Sequence, residues 1–319
     1  MGKKVVYSSH FGTSPDGVRP DDNEEEDIQE GALHCRGCAS IYAIREGIPR
    51  MVVGELGESS QHRTTAFDIA AKEWEHNFLD LSAPLGQSDF LGKTVLDLGC
   101  GYGRHAYFAA RFGAEVIAID NSEDAVLSTK RNTEHMAHVH VIQADASRLP
   151  IRSQSMDRVY CYGVLHHVED PMAILEMASD TIRPGGTLSV WAYGPRQGLT
   201  LIINNALRGA TTSMSHEQLL KISHLIASSL RLFSHTPYRF FGKVPIARYI
   251  VRHLPVHDHH QWPFDVVIAD IYDRLRIPVR HWFTKEELEK WYVDTGYSNI
   301  QVRRRVRNNE TFCAIGMRR

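Results

Sequence analysis

Val95-Leu96-Asp97-Leu98-Gly99-Cys100-Gly101-Tyr102-Gly103-Arg104 is the stretch on which the reading of the fold turns. The apolar run Thr94 to Leu98 stops at glycines, as a short buried parallel strand does. Three glycines at alternate positions then permit a tight turn and let backbone N–H groups approach a ligand closely. The helix expected next, Arg104 to Phe112, would point the partial positive charge of its N-terminus at an anionic group. The spacing is G-x-G-x-G followed by Arg104, which differs from the G-x-G-x-x-G of a dinucleotide loop, and Asp97 sits two residues before the first glycine. At the end of the next strand, about 20 residues on, Asp120 offers a carboxylate that can accept both hydroxyls of a ribose.

Outward from this elbow, strands and helices alternate. Glu115 to Ile119 reads as a second strand, and Ser122 can cap a helix running to about Glu134. Val139 to Gln143 and Asp157 to Tyr162 follow as strands, then a helix from Pro171 to Ile182. Pro184, Gly185 and Gly186 predict a turn into a fifth strand, Thr187 to Ala192. Gln197 to about Pro278 breaks the rhythm, with helices expected over Leu199 to Leu207 and Glu217 to Phe233. Thr284 and Glu287 have the capping-box spacing for a last helix. Ser298 to Val306 and Glu310 to Met317 then predict a hairpin joined at Asn308 and Asn309. The fold class is α/β: a doubly wound, seven-stranded, mostly parallel sheet, with a small N-terminal β segment and a helical insertion before the last two strands.

Ahead of the elbow lie β-prone pieces at Lys4 to Ser8 and at Ser40 to Ile44, the second ending at Gly47 and Pro49. Between them the acidic run Asp21 to Asp27 reads as a solvated loop. Phe67, Ala70, Trp74 and Phe78 have the spacing of an amphipathic helix over Thr65 to Leu79. Four segments result: 1–60, 61–196 as the α/β core, 197–283 as a lid-like insertion, and 284–319 completing the core. With 43% apolar and 23% charged residues in 319, the chain can bury a full core. A net charge of −2 argues against strong whole-chain attraction to nucleic acid or anionic membranes, though it leaves a local basic patch open. The sequence lacks a spanning apolar stretch and a signal peptide, and its five cysteines do not suggest a disulfide framework, so a cytoplasmic enzyme is the expectation.

The elbow and the segments after it resemble the class I S-adenosylmethionine (SAM)-dependent methyltransferases. Gln143-Ala144-Asp145-Ala146 looks like the family's segment after strand three. Gly163-Val164-Leu165-His166-His167-Val168 looks like its segment after strand four, and Arg183-Pro184-Gly185-Gly186-Thr187-Leu188 like its turn into strand five. The resemblance implies SAM as cofactor and S-adenosylhomocysteine as product. It places Asp97 and Gly99, Cys100 and Gly101 at the methionine end, and Asp120 with its neighbour Asn121 at the ribose. Asp145 and Ala146 would meet the adenine. Gly163 would either line the sulfonium or merely permit a turn. His166 and His167 lie where open α/β sheets bind ligands, and either is a candidate general base, His167 ahead of His166; alternatively both shape the pocket.

Asp270 to Asp273 and Pro278 to Thr284 resemble a segment of bacterial methyltransferases, and Tyr272 and His281 are the candidate substrate residues. Asp258 with His257, His259 and His260 reads as a solvent-exposed loop, not a metal site. Leu33 to Cys38 and Ile41 to Met51 look like the second half of a zinc ribbon. No earlier Cys-x-x-Cys exists, only Ser8, Ser9 and His10, so a degenerate ribbon without zinc at Cys35 and Cys38 is expected. The expected acceptor is a small molecule, with no membrane or nucleic-acid partner and a homodimer left open. Two alternatives stand beside it: an RNA- or protein-modifying enzyme, motivated by the ribbon-like start and by Arg303, Arg304, Arg305 and Arg307, and a non-catalytic SAM-binding subunit.

Overall fold

The computed structural model describes residues 28–52, 72–195, 209–211, 213–244, 249, 260–276, 281–305 and 308–319. Those up to 195 and from 281 onward form one compact unit, and those between 209 and 276 a second. The expectations for Lys4 to Ser8, Ser9, His10, Asp21 to Asp27, Leu199 to Leu207, His257, Asp258, His259 and Arg307 lie outside the described residues.

The first unit opens with β1 (Gly31–His34), β2 (Ile41–Arg45) and β3 (Ile48–Met51). Glu46 and Gly47 both take left-handed φ, 52° and 71°, the two-residue geometry that matches hairpin twist. The strand expected to end at Gly47 and Pro49 therefore turns there and runs on, with Pro49 opposite Ile44. Helix α1 (Lys72–Ser82) buries Trp74, Phe78 and Leu81; the part of the expected helix before Lys72 lies outside the described residues.

Next come β4 (Thr94–Leu98), α2 (Arg104–Arg111), β5 (Glu115–Asp120), α3 (Glu123–Thr133), β6 (Val139–Ala144), β7 (Met156–Tyr162), α4 (Pro171–Thr181) and β8 (Ile182–Tyr193). The second unit holds α5 (His216–Leu230), α6 (Thr236–Phe241) and α7 (Phe264–Arg276). The first unit resumes with α8 (Lys285–Asp294), β9 (Tyr297–Arg305) and β10 (Asn308–Arg318). The Ser122 and Thr284 caps form as their spacing predicts, each hydroxyl accepting from the backbone N–H three residues on.

The sheet order is β1-β2-β3-β6-β5-β4-β7-β8-β10-β9, parallel from β3 to β8 and antiparallel at both ends. Ten strands thus replace the expected seven, because the N-terminal strands extend the sheet where β3 pairs with β6. Two predicted turns differ in the structure. Pro184, Gly185 and Gly186 lie within β8 as an irregularity, where pairing jumps from Met156↔Ile182 to Arg158↔Thr187. Asn308 already pairs with Arg305, and Asn309 follows it in β10. Helix α8 packs on the β8–β10 pair through fully buried Tyr292, whose hydroxyl donates to the Leu188 carbonyl at 3.1 Å.

Strands β4 and β7 are neighbours although β5 and β6 intervene in sequence on β4's other side. The switch point between β4 and β7, where open α/β sheets bind ligands, is lined at the strand ends by Gly99 and Gly163. In the second unit, Leu219 and Ala227 of α5 pack on Val267, Ile268, Ile271, Tyr272 and Leu275 of α7. Among the described residues no helix is long and apolar enough to cross a membrane.

Candidate active site

The glycine elbow is held from three sides. Gly99 and Cys100 both donate to the Ile119 carbonyl, at 2.8 and 3.0 Å. Thr129 and Asn132 of α3 donate to the carbonyls of Gly101 and Tyr102. Gly101 donates its own N–H to Asp120 Oδ2 at 3.0 Å. Gly99, Gly101 and Gly103 take φ of 78°, 57° and 84°, which L side chains rarely adopt. A Cβ at Gly99 would sit 2.2 Å from Val164 Cγ2, whereas a Cβ at Gly101 would project into open space. The elbow therefore presents backbone, with no side chain in the way, to the crevice at Gly101.

Asp97 lies just before that elbow and is 1% exposed. Neither of its oxygens makes a hydrogen bond of normal geometry. Burial pushes its carboxyl up to about 8, and the charge of Asp120 adds to the rise. The Ala106 N–H, the Arg104 guanidinium and the Tyr160 hydroxyl oppose it only in part. A buried acid so weakly compensated is destabilising when ionised unless a further cation arrives to meet it. That observation fits the ammonium of a methionine moiety.

Asp120 is oriented by two backbone donors, Gly101 to Oδ2 and Ser122 to Oδ1 at 2.9 Å. A carboxylate accepts about four hydrogen bonds, so these two backbone donors orient it without saturating it. Asn121 offers its carbonyl to Gln143 Nε2 at 3.0 Å. Asp145 uses Oδ1 for the N–H and the hydroxyl of Ser147, and half-buried Ala146 follows it at the end of β6.

Gln143 exposes a residue that sequence reasoning missed. Arg50, in β3, is 8% exposed and donates from Nη1 to Gln143 Oε1 at 3.0 Å. Its Nη2 lies 3.5 Å from Glu123 Oε1. Register places Gln143 between Arg50 on one side and Asp120 on the other. The N-terminal hairpin thus braces the strand ends that carry Asp120 and Asp145. In the sequence, only a lone basic residue inside the apolar Ile48-Pro49-Arg50-Met51 hinted at this.

After β7 the chain turns at Gly163, φ 83°, where a Cβ would lie 3.0 Å from the Trp191 ring. His166 is buried and stacked on Tyr193 at 3.8 Å between centroids, edge-on to Trp191. His167, its ring 4.1 Å from that of His166, is half-buried. His281 joins this cluster: its N–H donates to the His166 carbonyl at 3.3 Å, and its Nε2 lies 3.1 Å from the Glu169 carbonyl. The structure therefore brings His166, His167 and His281 together. Tyr272 belongs to the second unit, where it is buried in the apolar cluster of α5 and α7.

Two further expectations meet the structure here. Arg305, one of the arginines that motivate the RNA- or protein-modifying alternative, is 8% exposed, and Asp80 of α1 accepts from it at 2.8 Å and from Arg303 at 3.3 Å. Arg304 lies over the Phe312 ring. Cys35 and Cys38 sit in the β1–β2 loop, where Cys38 donates to Ser40 Oγ. Hydrogen bonding to Ser40 lowers its thiol pKa. Among the described residues no three His, Cys, Asp or Glu side chains are grouped to hold a metal.

The sheet and its glycine elbow define a Rossmann-like methyltransferase fold. Residues 96–190 match the family model described as "Methyltransferase domain", and this part of the chain is a methyltransferase domain. A 37.1 kDa uncharacterized protein in transposon TN4556 of Streptomyces fradiae is 38% identical over 100 residues, 30% of this chain and 29% of that protein. The ubiquinone biosynthesis O-methyltransferase of Hydrogenovibrio crunogenus is 37% identical over 98 residues, 30% of this chain and 40% of the relative. The chain thus spans well under half the length of these curated relatives. A SAM-dependent methyltransferase structure from Mesorhizobium loti is 28% identical over 36% of this chain and 52% of the other, with a TM-score of 0.33.

Proposed function

We propose that this protein binds SAM and transfers its methyl group to a small-molecule acceptor, releasing S-adenosylhomocysteine. The observation that carries the reading is Asp97, buried with only weak compensation for its charge, beside an elbow tied to Asp120. When bound, SAM supplies an electrophilic methyl on a sulfonium. Asp97 would hold the ammonium of its methionine part, and Gly99 to Gly101 would leave room for that part against the backbone. Asp120 would accept the ribose hydroxyls, with Asn121 beside it. Asp145, through Oδ2, and Ala146 would meet the adenine, braced by Arg50 and Gln143. Gly163 keeps the crevice at the switch point open, since a side chain there would meet Trp191.

His167 is the proposed base for an acceptor hydroxyl. It is the more accessible histidine of the pair, while His166 is enclosed by Tyr193 and Trp191 and holds the shape of the pocket. His281 fixes the backbone beneath them and is the proposed substrate-side residue. Ordered placement of the reactants can contribute roughly 7–11 kcal/mol, and a base about 10²- to 10⁴-fold. The free thiols of all five cysteines support a reducing compartment, the cytoplasm.

The pairing of Arg303 and Arg305 with Asp80 occupies two of the four arginines that motivate an RNA-modifying role, which favours the small-molecule reading. The test is methyl transfer from SAM labelled in its methyl group, offered separately to small-molecule, RNA and protein fractions, after SAM binding is measured by calorimetry. Label in the small-molecule fraction is the expected outcome. Label confined to RNA or protein would reject the acceptor class, and binding without transfer to any fraction would leave a SAM-binding subunit.

A further inference from the structure

The exposed apolar side chains of this protein are concentrated in one place. Of ten large apolar residues that stand out as exposed among the described residues, seven fall between Leu225 and Tyr249. Five of the seven, Leu225, Leu232, Phe233, Phe240 and Phe241, sit in a single helical run: α5 passes through a π-turn (Arg231–His235) directly into α6, with right-handed helical φ and ψ at each junction. Its inner stripe, Leu219, Ser223, Ala227, Ser234 and His235, is buried. The opposite stripe carries Leu225, then Leu232 and Phe233, then Phe240 and Phe241. The steps are two turns each, and the π-turn supplies the extra residue that keeps them aligned. Phe233 and Phe240 are 69% and 71% exposed.

Charge is segregated in the same stretch. Residues 218–257 contain no Asp or Glu, although the whole chain has 38 in 319 residues. Lys221, Arg231, Arg239, Lys243, Arg248 and Arg252 fall within it. The whole-chain balance of −2 hides this. Arg231, Arg239 and Lys243 are exposed and flank the apolar side chains; Arg231 lies over the Phe264 ring at 5.0 Å.

We propose that this face of the second unit docks on an anionic lipid surface, lying in the plane of the headgroups. Aliphatic and phenyl side chains would enter the acyl boundary while the lysine and arginine stems snorkel to the phosphates. Single-stranded RNA suits the cations but not exposed Leu225, Leu232 and Val244, which have no π-face for base stacking. The absence of a spanning helix among the described residues is compatible with an interfacial one. This surface does not depend on the identity of the methyl acceptor.

The test is co-sedimentation of the full chain with phosphatidylcholine vesicles, with and without phosphatidylglycerol, at about 0.1 M and about 1 M salt. The expected result is retention on the anionic vesicles at low salt and loss on the neutral ones. Arg239→Glu with Lys243→Glu should lower partitioning by about fivefold per cation. Phe233→Ser with Phe240→Ser should lower it at least about tenfold, with circular dichroism and SAM binding unchanged. Four results would each overturn the proposal: wild-type protein left in the supernatant, phenylalanine variants that bind as wild type, tighter binding to polyuridylate than to vesicles, or a dimer that the phenylalanine variants dissociate.

Discussion

Asp97→Asn keeps the size of a buried side chain and removes its titration. In the folded, ligand-free protein the Asp97 carboxyl keeps its proton up to pH of about 8, because burial and Asp120 disfavour its charge. In the unfolded chain it ionises at about 3.9. Between those values the folded state binds one more proton than the unfolded state, so wild-type stability falls as pH rises. The slope is ~1.4 kcal/mol per pH unit across that window, flattening above a pH of about 8. At pH 7 the loss amounts to about 4 kcal/mol, and an asparagine, which never ionises, does not suffer it. The ligand-free variant should therefore be the more stable protein at pH 7, with an advantage that shrinks toward zero near pH 4. The slope is the diagnostic, because the neutral acid and the amide share the same burial. Urea unfolding of both proteins from about pH 5 to about pH 8 measures it. SAM binding should be lost in the variant. In the wild type at pH 7 it should release about one proton, read by calorimetry in buffers of different ionisation enthalpy. Stability profiles that run parallel across the window would refute the reasoning, since Asp97 would then already be ionised in the empty site.

Three other substitutions probe the rest of the site. Asp120→Ala should weaken SAM binding by charge-assisted hydrogen bonds of ~1.5–3 kcal/mol each, and unchanged calorimetric affinity would reject the ribose assignment. His167→Ala should lower turnover by about 10²-fold or more with SAM affinity intact; wild-type turnover would exclude it as the base. Arg50→Met should leave Gln143 Oε1 without its buried donor, lowering stability by roughly 1–3 kcal/mol and weakening SAM binding. If affinity for SAM were untouched, the hairpin would be a structural edge and nothing more.

Legibility tracked the range of the interaction. The elbow at Gly99, the acid ending β5, the Ser122 and Thr284 caps and the alternation of strands and helices are local in sequence, and each was readable there. Pro49 hid β3, because a proline seldom sits in a strand; here it comes before β3 pairs with β6 at Arg50. Pro184 to Gly186 looked like a turn because the same residues serve a sheet irregularity. The pairing of Arg303 and Arg305 is not legible in the sequence because Asp80, their partner, lies more than 220 residues away.

From sequence alone came the class of the core, the order of its elements and the candidate cofactor residues, because turn chemistry, capping and apolar periodicity act over a few residues. Tertiary structure decided which of those residues lack partners and which have them. Asp97 is buried with no hydrogen bond of normal geometry, His166 is enclosed by aromatic rings while His167 keeps some exposure, and Arg50 reaches the ends of the central strands through Gln143. Burial and pairing depend on atoms that only folding brings together, and these set the charge state and the accessibility on which chemistry depends.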